Sequence, residues 1–158
     1  MFTSLENLPE IRKKHSEDTI VLAGGVFDLV HPGHLDLFKR MKTVASIGVV
    51  AVSTDTRVRQ RKGSDRPIQD ENTRLQVVEA MRSVDYAMIA PEPNGLEVPT
   101  VRIMRALRPD FFMSSEDSWL NFPHIFEELG VEFSLVPRLS EDVSTTQTIH
   151  KITGIKTT

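Results

Sequence analysis

Two histidines three residues apart, His31 and His34, stand in the string G-G-V-F-D-L-V-H-P-G-H at residues 24–34. Pro32 suits the first position of a helix, and the residue before a proline is pushed towards extended backbone. His31 and His34 therefore bracket a helix start, where unpaired backbone N–H groups and the helix dipole attract anions. Both imidazoles can donate to phosphate oxygens. A lone histidine at such a place is ordinarily a cap or a surface residue. Here a second histidine stands beside it, and the glycines before both let the backbone come close to a ligand. The whole string reads as a phosphate site.

The elements that must position it are legible on both sides. T-I-V-L-A at residues 19–23 is a short, β-branched apolar run that suits a buried parallel strand. After the motif Leu35, Phe38 and Met41 recur at helical spacing, with Lys39, Arg40 and Lys42 between them. The motif is thus a strand-to-helix turn, the place where open α/β sheets bind ligands. Further strands are expected at 47–53, 84–90, 111–113 and 131–136, and helices at 4–17, 71–83, 98–107, 122–129 and 144–152. Gly130 ends the helix before the last strand as a C′ glycine. Strands alternating with helices imply an α/β fold, a Rossmann-like three-layer sandwich with a five-stranded parallel sheet, built as a single domain over residues 1–158.

In such a sheet the loops after the strands gather along one edge. They bring S-T-D at 53–55, a basic stretch at 57–70 read as a loop, and S-T-T at 144–146 towards the histidines. Lys62 and Arg66 lie in K-G-S-D-R-P-I, and Arg74 lies on the next helix. Chemistry at a phosphate builds negative charge on its oxygens, which clustered cations stabilise. Lys62 and Arg74 are the expected functional members, whereas Arg57, Arg59 and Arg61 are read as solubilising surface. Ser144, Thr145 and Thr146 offer hydroxyls that both cap a helix and cradle phosphates.

Composition narrows the class. The chain has 158 residues with a formal net charge of −3 and a pI near 5.9, so no global basic field points to nucleic acid. Cysteine is absent, which excludes a disulfide framework and a thiolate metal site and fits a reducing cytoplasm. No signal peptide and no membrane-spanning run is expected. The turn lacks the G-x-G-x-x-G of a classical dehydrogenase.

The ordered set G-x-F-D-x-x-H-x-G-H, S-T-D, K-G-x-x-R-P, S-V-D-Y and S-T-T resembles the nucleotidyltransferase superfamily that includes the cytidylyltransferases and the heptose-phosphate adenylyltransferases. The resemblance runs along nearly the whole chain. It implies transfer of a nucleoside monophosphate from an NTP to a phosphorylated sugar or polyol, with Mg2+ carried on the nucleotide phosphates and leaving with pyrophosphate. His31, His34 and Lys62 would be catalytic. Gly25, Val26, Phe27, Arg74, Asp117, Ser144, Thr145 and Thr146 would hold the nucleotide, and Asp28 and Lys62 the acceptor. The resemblance implies no protein-held metal, and relatives of this type are often homodimers. The K-G-S-D-R-P-I loop leans to ATP. The string M-S-S-E-D-S-W at 113–119 has serines where relatives carry glycines, and its Trp119 leans to a CTP-dependent, glycerol-3-phosphate-type enzyme. A further alternative is a nucleotide-binding domain without turnover.

Overall fold

The computed structural model describes residues 1–93, 95, 97–137 and 145–153. Five strands form one parallel sheet: β1 (Ile20–Gly25), β2 (Ile47–Val52), β3 (Tyr86–Ile89), β4 (Phe111–Ser114) and β5 (Glu132–Leu135). Their order across the sheet is β3-β2-β1-β4-β5. The chain reverses direction across the sheet between β1 and β4, which makes that gap the topological switch point where α/β sheets form their crevice.

The central strands are apolar throughout because both of their faces are covered. Ile20, Leu22, Val49, Met88 and Phe112 enter one core with α1 (Leu8–Lys14), α5 (Pro99–Leu107) and α6 (Pro123–Leu129). Val21, Ala23, Val50, Val52 and Met113 enter the other with α2 (Pro32–Val44) and α4 (Glu71–Glu79). The expected three-layer sandwich and five-stranded parallel sheet are both present. On α2 the buried stripe is Leu37, Phe38 and Met41, while Leu35 is exposed, so the stripe is rotated from the expected one.

The basic stretch is the main departure. Residues Asp55–Lys62 form a helix, α3, rather than a loop. It carries one buried residue, Val58, so no apolar period announced it. Its start and stop are nevertheless written locally. The Thr54 hydroxyl accepts from the Arg57 N–H as an N-cap, and Gly63 ends the helix at φ 95°. The N-terminal helix is shorter than expected, a 3-10 turn over Leu5–Asn7 running into α1. The final helix, α7, covers Thr145–Thr153, and Ser144 lies outside the described residues. No described helix is long and apolar enough to cross a membrane.

Candidate active site

The turn after β1 is coiled tightly. Phe27 and Leu29 both hold left-handed backbone, at φ 53° and 50°, a cost that persists where surrounding contacts fix the loop. The Phe27 ring supplies one such contact. It is 1% exposed, lies 5.2 Å from the Phe38 ring, and meets the His34 ring edge-on at 5.2 Å. A Cβ at Gly25 would come within 2.9 Å of the Phe27 ring, so glycine is needed there to let that ring pack beneath the histidine. The side chain of Phe27 is thus a platform for His34 and does not face a nucleotide.

His31 has the extended backbone imposed by Pro32, φ −136° and ψ 168°. The two imidazoles stack, with centroids 3.8 Å apart and planes inclined by 22°. The His31 N–H donates to His34 Nδ1 at 3.4 Å. In the neutral ring this leaves the proton on Nε2, ready to donate outwards. His31 Nδ1 is buried with no hydrogen-bond partner among the described residues. Burial lowers the His34 pKa to about 4, helped by the charges of His31 and Lys62 and opposed by Asp28. Burial also lowers that of His31. Two neutral imidazoles at the start of a 13-residue helix can each donate a ring N–H to an anion there.

Asp28 ties this turn to the rest of the edge. It is 1% exposed. Its carboxylate accepts from Arg66 Nη2 at 3.0 Å, from Ile68 N–H at 2.9 Å and from Gln69 N–H at 3.0 Å. The Thr145 hydroxyl donates to the Asp28 carbonyl, joining the start of α7 to the same turn. A buried carboxylate engaged by three donors shapes the site and does not reach an acceptor. The pKa of Lys62 is lowered by burial and then by the Arg66 and Arg61 cations, against the opposing pull of Glu116 and Asp28. That pattern places the ammonium within electrostatic reach of both the histidine pair and the loop held by Asp28.

Arg74 corrects the expectation. Its guanidinium is 0% exposed and donates to the carbonyls of Gln69, Val26 and Ser53 and to Asp55 Oδ1. With four of its five N–H groups engaged in a sealed site, it braces three loops and does not contact phosphates. Val26 enters through its carbonyl, as the acceptor of Arg74 Nη1. Gly25 accepts from the Ser53 N–H, continuing the sheet. Thr145 is buried and its hydroxyl is directed at Asp28, whereas Thr146 is exposed. Asp117 is exposed at the head of a 3-10 turn over Asp117–Asn121, beyond β4, and nothing ties it to the histidines. Arg66 belongs at the centre and was marked only by standing before a proline in the basic stretch. Its Nε is buried with no hydrogen-bond partner among the described residues.

The family model described as Cytidylyltransferase-like matches residues 22–158. The chain belongs to the cytidylyltransferase-like family. It is 36% identical over 154 residues to "Bifunctional protein HldE" of Desulfatibacillum aliphaticivorans, covering 95% of this chain and 29% of that protein. It is 33% identical over 151 residues to the protein of the same name from Helicobacter pylori strain G27, covering 94% and 30%. The chain thus spans about three-tenths of the length of these curated relatives. Among solved structures, the lipopolysaccharide core biosynthesis protein of Thermoplasma volcanium GSS1 matches with a TM-score of 0.60 and 27% identity, over 79% of this chain and 99% of that one. Pantoate-beta-alanine ligase from Francisella tularensis shares the fold with a TM-score of 0.67 at 13% identity, over 98% and 78%. The expectations of fold and of family are therefore met for this cytidylyltransferase-like chain.

Proposed function

We propose that the chain transfers a nucleoside monophosphate, from ATP in preference to CTP, onto a phosphorylated sugar or polyol and releases pyrophosphate. The observation that carries this reading is the stacked, neutral His31–His34 pair at the start of α2, with Lys62 alongside. An oxygen of the acceptor's phosphate attacks the α-phosphorus, the new P–O bond forms, and the bond from that phosphorus to the bridging oxygen breaks. Pyrophosphate leaves with the electron pair. His34 Nε2–H and the first N–H groups of α2 donate to the α-phosphate oxygens, where charge builds. Lys62 holds the acceptor's phosphate in line, and Thr146 at the start of α7 serves the outer phosphates while Thr145 anchors that helix to the Asp28 turn. No covalent intermediate on the protein is required, so catalysis is positioning and charge stabilisation.

Mg2+ enters as part of the nucleotide substrate. The carboxylate nearest the histidines, Asp28, is fully occupied by Arg66 and two N–H groups. Among the described residues no group of three or more His, Asp or Glu side chains could hold a metal. By this reading the cation arrives with the nucleotide, on its phosphates. A saccharide-building role is supported by the likeness to the lipopolysaccharide core biosynthesis protein, and ATP by the K-G-S-D-R-P-I loop. A homodimer in the cytoplasm fits this reading.

The test is pyrophosphate release from each NTP with Mg2+ over a panel of sugar and polyol phosphates. Release with ATP and a sugar phosphate, lost in His34→Ala, supports the proposal. Tight NTP binding with no release on any acceptor would replace it with a nucleotide-binding domain that does not turn over.

A further inference from the structure

Resting on that reading, a second feature of the sheet edge concerns the acceptor. An open cleft lies at the ends of β1, β2 and β4, on the face turned towards α5 and away from the histidine helix. Its walls include Ser53, Ser114, Trp119, Glu116, Arg57 and Arg61. The two arginines are four residues apart on α3, so they share one helix face. Two like charges so placed repel one another unless an anion lies between them.

Only one counter-charge is present. Arg61 Nη2 is paired with Glu116 Oε1 at 3.1 Å, whereas the half-buried guanidinium of Arg57 makes no hydrogen bond or ion pair with any described residue. Arg59, between them in sequence, is exposed and does not line the cleft. An unpaired guanidinium held in a cleft is out of place as a solubilising group, which would stand in water. Gly24 and Gly25, the end of β1 that leads into the histidine turn, also line the cleft, so it lies beside the transfer site.

We infer that this cleft receives the acceptor and that Arg57, with Arg61, holds an anionic group of it. A planar guanidinium matches phosphate or carboxylate in two parallel hydrogen bonds, which neither serine can do. The anion is either the attacking phosphate on its way to Lys62 or a second acidic group at the far end of the acceptor. Glu116 and the serines then face the hydroxyls of the body.

The experiment measures KM and kcat for Arg57→Gln and Arg57→Lys, with Arg59→Gln as the surface control. Glycerol 3-phosphate, 3-phosphoglycerate and glucose 1-phosphate serve as acceptors. Arg57→Gln should raise the acceptor KM by roughly tenfold or more. The KM for the nucleotide should not move, Arg57→Lys should recover part of the loss, and Arg59→Gln should match the parent. A loss shared by all acceptors assigns Arg57 to the attacking phosphate. A loss confined to 3-phosphoglycerate assigns it to a second acidic group. An unchanged acceptor KM, or a rise in the nucleotide KM alone, overturns the inference. If no acceptor is turned over, calorimetric titration of 3-phosphoglycerate and of inorganic phosphate into parent and Arg57→Gln still decides it. Equal affinities reject the role of Arg57, and weaker binding by the variant supports it even if the transfer reaction itself fails.

Discussion

At the scale of single residues, the electrostatics of His34 set two expectations. Its pKa is about 4 in the folded chain against 6.5 for a free imidazole, because burial disfavours the charged ring. The unfolded chain therefore binds a proton between those values that the folded chain does not. The contribution to stability is complete above pH 6.5 and is lost as the pH falls towards 4, by at most about 3 kcal/mol. Urea denaturation of the parent should show this loss, and His34→Gln should flatten that part of the profile. A bound polyphosphate reverses the balance, since negative oxygens favour the imidazolium. Nucleotide binding at pH 6 should then take up protons, seen as a binding heat that varies with the ionisation heat of the buffer. His34→Ala should abolish that dependence. On the catalytic side, His34→Ala removes one donor to the developing charge, a loss of about 10²–10³ in kcat.

At the scale of elements, the site is three loops held by two buried side chains. Asp28 fixes the segment after α3 through Arg66 and the N–H groups of Ile68 and Gln69, and Arg74 draws the ends of β1 and β2 onto the start of α4. Removing one member of such a buried pair leaves an uncompensated charge and costs about 3–5 kcal/mol. Arg74→Met should therefore lower the midpoint of thermal unfolding sharply, with nucleotide affinity affected only through folding. Asp28→Asn keeps the shape and loses the charge. It should loosen the segment bearing Lys62 and Arg66, raising the acceptor KM more than the nucleotide KM. These roles show what the sequence could convey. His31, His34 and Pro32 announce themselves because their chemistry depends on local spacing. Arg74 was equally visible as a cation, but whether a guanidinium faces phosphate or backbone carbonyls depends on loops 20 to 50 residues away. The helix over Asp55–Lys62 was missed because it buries a single side chain, although its Thr54 cap and Gly63 stop were legible.

At the scale of the whole molecule, the parallel order β3-β2-β1-β4-β5 explains why motifs scattered from residue 25 to residue 146 converge. The apolar runs of the strands made that order readable, since β-α alternation leaves few topologies. The depth of each side chain was not readable in the same way, and Phe27 and Thr145 proved to be supports facing inwards. The chain as a whole is acidic, at −3, so the cations around the histidines form a local field and not a general one. In the segment after β4 Ser114 is buried and its hydroxyl accepts from the Glu116 N–H, so the serine closes its own turn. Thermal unfolding with ATP and with CTP, each with Mg2+, reads the choice of base directly. A nucleotide at 100 times its Kd stabilises the chain by about 2.7 kcal/mol, roughly 5–10 °C for a chain of this size. ATP should give that shift and CTP much less. Lys62→Met should leave most of the ATP shift in place while abolishing turnover, because its ammonium serves the acceptor. A larger shift with CTP would reassign the base and leave the histidine chemistry standing.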